Sequence, residues 1–147
     1  MDFPRQIKTL REAQLINPLV LAHIGDAVLE LFVRTRVLER GRAKVDKAHR
    51  ESVAMVSAAA QAAAARLALP LLSEEEGEAF RRGRNARVGS VRKHADTGDY
   101  HAATGLECLF GHLYITGRME RAAELFCVCF ITDAPESTAS KEGKNGD

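Results

Sequence analysis

Asn17-Pro-Leu-Val-Leu-Ala-His-Ile-Gly-Asp-Ala-Val-Leu-Glu-Leu-Phe-Val-Arg34 is the stretch on which the fold turns. It reads as one long helix with a legible start. Asn17 can cap it by accepting a bond from a backbone N–H that has no helical partner. Pro18 suits the first helical position, where no N–H is needed. Leu19 to Val33 is mostly apolar, which predicts a central helix buried on most sides. Asp26 stands in the middle of that run. A carboxylate among apolar neighbours costs several kcal/mol, on the order of 3–5 by removal of a partner, unless an arginine, a cap or a metal ion compensates it. Taken alone, Asp26 is read equally well as a satisfied structural residue or as a ligand.

A second stretch of the same character is Thr104-Gly-Leu-Glu-Cys-Leu-Phe-Gly-His-Leu-Tyr-Ile115. It too is apolar, contains small residues and carries one acid, Glu107. Gly25 and Gly111 would let the two helices approach closely. If the two acids face one another they form a hard-oxygen site suited to Mg²⁺ or Mn²⁺.

The remaining segments are also helical in pattern. Residues 5–16 give a short amphipathic helix. The Asp26 helix should stop at Gly41, a natural residue past a helix C-terminus. Asp46 is expected to cap a third helix that continues to Leu69 and ends before Pro70. Its alanines from Ala58 to Ala65 fit either tight internal packing or a subunit interface. Ser73-Glu-Glu-Glu76 is a capping box opening a fourth helix, so its acids are helix-start residues rather than ligands. From Gly83 to Gly98 no apolar periodicity appears, and the segment is expected to be a long loop. The Glu107 helix ends near Gly117, and a last helix covers Met119 to about Phe130. No alternation of strand type is present. The expectation is an all-α domain over residues 1–132 with roughly six helices, followed by a disordered tail over 133–147 rich in Pro, Ser, Glu, Lys and Gly.

Composition narrows the class without choosing a function. A 46% hydrophobic and 28% charged chain of 147 residues suits one globular domain. The net charge of +1 gives no global attraction to nucleic acid, so charge distribution must decide. Cys108, Cys127 and Cys129 form no Cys-X-X-Cys pair, and their number is odd; they are read as core thiols in a reducing, cytoplasmic setting. There is no apolar stretch of signal-peptide or membrane-spanning type. Between Arg81 and His94 stand Arg81, Arg82, Arg84, Arg87, Arg92 and Lys93, with no acid among them. Arginine suits bidentate phosphate contacts. The stripe is a footprint for nucleic acid or, more plainly, a solvated basic loop. No aromatic motif for stacking single-stranded bases accompanies it, so duplex RNA is the better fit.

Ile24-Gly-Asp-Ala-Val-Leu-Glu-Leu31 resembles the signature of the ribonuclease III catalytic domain, and the Glu107 helix resembles that family's second acidic helix. The similarity is closest to Mini-III, the small bacterial branch that lacks a double-stranded-RNA-binding domain, and runs from about Asn17 to Phe130. His49, Ser52, Val56-Ser-Ala58, Gln61-Ala62, Arg82-Gly-Arg-Asn-Ala-Arg87, Lys93, Asp96, Tyr100 and Thr104 fall in matching order and spacing. The resemblance implies a ribonuclease III fold, a two-fold homodimer and Mg²⁺-dependent endoribonuclease activity on double-stranded RNA, with Mn²⁺ able to substitute. Cuts would be staggered and leave 5′-phosphate and 3′-hydroxyl ends. It implies a role in maturing the large-subunit (23S) ribosomal RNA precursor, with a ribosomal protein as a further candidate partner, and a cytoplasmic location. Asp26 and Glu107 would be the catalytic metal ligands. Arg82, Arg84, Asn85, Arg87 and Lys93 would contact RNA. Thr104 and Glu30, each one turn from an acid, are candidates for supporting roles. The glycine-containing face of the Asp26 helix is the candidate dimer seam.

The sequence departs from the larger ribonuclease III pattern at three acids. Glutamates four and seven residues before the signature aspartate are replaced by Ala22 and Leu19, and an aspartate three residues before the second glutamate by Thr104. Mini-III shares these simplifications, and two acids suffice for one ion that keeps its waters. His94 stands where Mini-III is expected to have asparagine. His23 and His112 are read as structural. No duplex-binding domain is expected after the last helix, so affinity for RNA should be weak and steeply salt-dependent. Two alternatives compete. One is a catalytically idle RNA- or ribosome-binding module, which would have no reason to hold two acids in apolar helices. The other is an all-α phosphohydrolase of nucleotides, which would be expected to carry a His-Asp pair, and no such dipeptide occurs.

Overall fold

The computed structural model describes residues 7–41, 44–86 and 97–131. Among them are seven α-helices, one 3₁₀ turn and no strand: α1 Leu10–Gln14, α2 Pro18–Glu39, α3 Val45–Met55, α4 Ala58–Ala68, the 3₁₀ turn Leu69–Leu71, α5 Glu74–Arg84, α6 Thr97–Ile115 and α7 Met119–Phe130. The all-α expectation holds. The tail from 133, and the basic residues Arg87, Arg92, Lys93 and His94, lie outside the described residues.

Local chemistry sets most helix ends where the sequence puts them. Asn17 Oδ1 accepts from the Leu19 N–H at 2.9 Å, with Pro18 in the first turn. Gly41 follows α2 with φ +110°, a conformation that costs glycine little. The Ser73/Glu76 capping box opens α5 in both directions, at 3.2 and 2.9 Å. Several boundaries differ. The first helix, expected over residues 5–16, covers Leu10–Gln14 among the described residues. The expected third helix is two helices, α3 and α4, bent by 55°. Ser57 makes the break: its backbone is extended, and its hydroxyl oxygen accepts from the Ala60 N–H as the cap of α4. Asp46 does not cap α3; Lys44 occupies that position and Asp46 lies in the first turn. The Glu107 helix begins at Thr97, so Thr97 and Gly98 belong to the helix rather than to the expected loop.

α6 is the hub, with α2, α4, α5 and α7 packed around it. Ala103 to Leu113 are all buried except Glu107. α2 is less enclosed than its apolar run predicts. It buries Leu21, Ala22, Gly25, Val28, Leu29, Val33 and Val37, while Val20, Leu31 and Leu38 are exposed. The core joins Val28, Leu29 and Val33 to Leu106, Leu109, Phe110 and Leu113, with Phe80 from α5 and Leu125 and Phe126 from α7. Phe126 stacks on Phe32 at 5.2 Å and on Phe130 at 5.0 Å. Of the α4 alanines, Ala62, Ala64, Ala65 and Ala68 are buried, while Ala59 and Ala63 are exposed. Cys108 and Cys129 are core thiols, but Cys127 is exposed, one position off the buried stripe of α7.

The α2–α6 crossing is made backbone to backbone. A Cβ at Gly25 would lie 1.6 Å from the Glu107 carbonyl oxygen, and one at Gly111 would lie 1.9 Å from that of Leu21. The glycine face of α2 is therefore spent inside the protomer and is not a dimer seam. At the N-terminus of α5 the acids are held from the α7 side. Arg121 bonds Glu76 through two nitrogens at 2.8 and 3.0 Å, and Arg118 and His112 both contact Glu75. These acids are structural, as the capping box implies. His112 is buried in that cluster, in keeping with a structural role.

Neither glycine can accept a methyl group without parting the helices. Gly25→Ala is expected to destabilise the protein by about 3 kcal/mol or more, and Gly111→Ala likewise. Urea denaturation followed by circular dichroism measures both, with Gly77→Ala, where only the flexible end of Arg81 is near, as the mild comparison.

Candidate functional site: an acid pair at a glycine crossing

The crossing fixes where the two acids can be. Asp26 follows Gly25 on α2, and Glu107 is the α6 residue whose backbone Gly25 touches. Each side chain is part-buried. Burial pushes the Glu107 carboxyl up to about 7 from an ordinary value of 4.5, and the negative charge of Asp26 adds to the rise. A hydrogen bond from the side chain of Gln61 works in the opposite sense. The pair expected from sequence is thus assembled, at the junction of α2, α4 and α6.

The other candidates divide. Thr104 is buried one turn before Glu107, and its hydroxyl donates to the Tyr100 carbonyl at 3.0 Å. Its oxygen keeps acceptor capacity but has no hydrogen left to give. Glu30, one turn beyond Asp26, is ion-paired with Arg34 at 3.4 Å on an accessible surface. Arg82 is tied down, donating to the Ile16 carbonyl at 2.7 Å from a part-buried position. Arg84 is exposed, lies over the Phe80 ring at 5.9 Å and donates to Asn85, the cap residue of α5, at 3.3 Å. Arg87 and Lys93 fall outside the described residues. His23 is exposed on the outer face of α2, in a groove with Ile24, Ala27, Leu31, Tyr114 and Met119, so it is not a core residue.

Gln61 received no role from sequence reasoning beyond its place in the matching pattern. The signal that could have found it is a lone amide in an alanine run, which cannot be buried without partners.

Among the described residues no three His, Cys, Asp or Glu side chains come together as a metal-binding group. The donor set is two carboxylates. A hard divalent cation that retains several waters needs no more than that. The charge of Asp26 also acts against ionised Glu107, a repulsion that such a cation would relieve. The residues fit a metal of this kind.

Comparison with known proteins decides the family. Residues 19–118 match the Ribonuclease III domain, spanning both acids. The chain belongs to the Mini-III branch of the ribonuclease III family. It is 47% identical to Mini-ribonuclease 3 of Symbiobacterium thermophilum over 75% of this chain and 85% of that one. It is 42% identical to the Brevibacillus brevis protein of the same name over 86% and 95% of the two chains. A solved structure of a Fusobacterium nucleatum protein aligns with a TM-score of 0.69 at 25% identity, covering 76% of this chain and 89% of that one. The chain is accordingly an endoribonuclease of the ribonuclease III type. Ribonuclease III enzymes are metal-dependent and act on double-stranded RNA. No single helix among the described residues is long and apolar enough to cross a membrane.

Glu107 gives the site a measurable signature. Its carboxyl is raised in the folded state, so its contribution to stability is fully present below pH 4.5 and is lost as pH rises through about 7. In EDTA, Glu107→Gln is expected to be more stable than wild type at pH 8, on the order of 2 kcal/mol. The two should converge at pH 4.5. Urea titrations at the two pH values provide the test.

Proposed function

We propose that Asp26 and Glu107 hold one Mg²⁺, replaceable by Mn²⁺, and that the protein uses it to hydrolyse phosphodiesters of double-stranded RNA. The observation that carries this reading is the acid pair itself: two carboxylates on different helices, held at one crossing and mutually repelling. When bound, the ion supplies charge neutralisation at the phosphate and an activated water. The chain's own part is to fix the two carboxylates on rigid helices and to present cations to the RNA backbone. Thr104 contributes a buried acceptor oxygen one turn from Glu107. Arg84 and Asn85, at the C-terminal turn of α5, begin the basic surface that Arg87 and Lys93 extend in sequence. Arg82 supports that surface from below, since its guanidinium is engaged with Ile16. Glu30 is assigned to the Arg34 ion pair rather than to the metal.

Each chain carries one acid pair, and a duplex has two strands. We place the partner protomer on the outer face of α2, where Ile24, Ala27 and Leu31 meet Tyr114 and Met119 around an open apolar groove of about 390 Å³. Ala27 adjoins Asp26 in the sequence, so a two-fold axis there brings two acid pairs to one side of the dimer. The physiological substrate is a stem of the large-subunit ribosomal RNA precursor. This rests on the branch to which the chain belongs, as does its cytoplasmic location; a ribosomal protein presenting that stem is part of the same reading.

Two experiments test this. Asp26→Asn should lower cleavage of long duplex RNA in Mg²⁺ by at least about a thousandfold, the equivalent of roughly 4 kcal/mol of charge stabilisation. Binding of duplex in EDTA, read by filter retention at low salt, should be unchanged or tighter. Equal cleavage by variant and wild type would remove Asp26 from the site. Leu31→Arg, 62% exposed in the protomer, should convert a dimer to a folded monomer in sedimentation velocity. A wild type that sediments as a monomer at all concentrations would sink the proposed seam.

A further inference from the structure

Arg82 and Arg84 are neighbours in the basic stripe but not on the helix. Residues two apart leave nearly opposite sides of an α-helix. Arg84 is accordingly exposed, while Arg82 is part-buried. The Arg82 Nη2 donates to the Ile16 carbonyl at 2.7 Å. Ile16 directly precedes Asn17, the cap of α2, and packs against Leu21 and Ala22 of α2 and Cys108 of α6. That carbonyl is a fixed anchor. The Ile16 N–H donates to the Ala13 carbonyl at 3.2 Å, and the far end of the same segment is tied by the Lys8 N–H to the Ile115 carbonyl at 2.7 Å. At the residue after Arg82, α5 meets α6 backbone to backbone: a Cβ at Gly83 would lie 2.9 Å from the Thr104 carbonyl oxygen and 3.0 Å from Cα of Gly105. The last turn of α5 is thus fastened to both helices that carry the acids, to α6 at Gly83 and to the start of α2 through Arg82. Arg84 and Asn85 stand at the end of that turn.

We propose that Arg82 is a positioning residue and not a phosphate ligand: its bond to the Ile16 carbonyl sets where Arg84 and Asn85, and the RNA backbone on them, stand relative to Asp26 and Glu107. This rests on the proposed contact of Arg84 and Asn85 with duplex RNA. It departs from the family resemblance, which implies RNA contact for Arg82 itself. The geometry gives the tether its use. A phosphate bound at one end of the site must arrive at the acids in line, and a misplacement of about 1 Å can cost on the order of a hundredfold in rate. Arginine suits the task because its planar fork is pre-organised and loses little freedom per bond formed.

The test compares Arg82→Met with Arg84→Met, each keeping an unbranched side chain of good helix preference and removing charge and donors. Duplex RNA binding in EDTA is measured over a series of salt concentrations, and cleavage in Mg²⁺ is measured in single turnover at saturating enzyme. A lost phosphate contact makes the salt dependence shallower by about one in the log–log slope. Arg84→Met should show that change. Arg82→Met should keep the wild-type slope while its single-turnover rate falls at least about tenfold. A slope for Arg82→Met as shallow as that of Arg84→Met would make Arg82 a phosphate ligand and overturn the proposal. Wild-type slope together with wild-type rate would overturn it too, leaving the bond to Ile16 without effect on the reaction. Should Arg82→Met fail to fold, the wild type decides by ¹⁵N NMR of its guanidinium groups. The Arg82 signals should be resolved, as a held group requires, and unmoved by a short RNA duplex that shifts those of Arg84. Arg82 signals that shift as far as those of Arg84, or that average as a freely rotating group does, would overturn the tether. Wild-type protein that neither binds nor cuts duplex RNA would instead defeat the proposed function, a result distinguishable from failure of Arg82 alone.

Discussion

The structure depends on the contact of α2 with α6 at Gly25 and Gly111. Side chains ordinarily keep helix axes 8–10 Å apart, with ridges of one seated in grooves of the other. Here the carbonyls of Leu21 and Glu107 occupy the space where two Cβ atoms would be. A second crossing of the same kind joins α5 to α6, where a Cβ at Gly83 would lie 2.4 Å from Cβ of Cys108 and one at Gly105 would lie 2.9 Å from the Phe80 carbonyl oxygen. α6 is thus gripped on two sides by backbone contacts that admit little sliding. That rigidity is the condition for a site made from one side chain per helix, because a longer or softer contact would let the acids drift apart.

Drift is what their charges favour. Burial and the field of Asp26 both act against ionised Glu107, and the hydrogen bond from Gln61 offsets only part of that. The hydrophobic core around Leu29, Leu106, Leu109 and Phe110 lies along the same two helices. Its burial stabilises the crossing as a whole and so holds the repelling pair in place. The cost of the acid pair is local, and the apolar contacts a turn away offset it. The raised Glu107 carboxyl is the trace of that compromise.

Much of this was legible in the chain because the decisive signals are local. Asn17-Pro18 and the Ser73/Glu76 box mark helix starts through side chains that reach only two or three residues. The apolar stripes of α2, α6 and α7 mark helix faces in the same way. The acids stood out because nothing within their own stretches could compensate them. What the sequence concealed was long-range or ambiguous. Ser57 looked like one more small residue in an alanine-rich helix, and only its extended backbone reveals it as a cap. α6 starts two residues inside the expected loop, because Thr97 and Gly98 have a composition that loops and helix ends share. α2 was taken as enclosed on most sides because exposed Val20, Leu31 and Leu38 carry the same apolar signature as buried Leu29 and Val33. Apolar character alone does not tell which faces of a helix are covered, since exposed apolar residues are ordinary on protein surfaces. Gln61 was silent for a related reason, since its partners lie five residues back and on a different helix.

Charge placement follows the same division between local and distant partners. α5 begins with Glu74, Glu75 and Glu76 and ends with Arg81, Arg82 and Arg84, an arrangement aligned with its helix dipole. The helix is eleven residues long, about 17 Å, so over roughly two Debye lengths at physiological salt its acids are largely screened from its arginines. The acids are also paired within the fold: burial raises the Glu75 carboxyl, but hydrogen bonds from His112 and Arg118 hold it below its ordinary value, and the hydrogen bond from Arg121 is the leading cause that lowers Glu76. At the positive end, and among the described residues, Arg82 bonds a carbonyl and Arg84 an amide rather than an acid. At α5, Glu75 and Glu76 are thus paired inside the fold, while Arg82 and Arg84 are bonded to neutral groups that leave their charge intact.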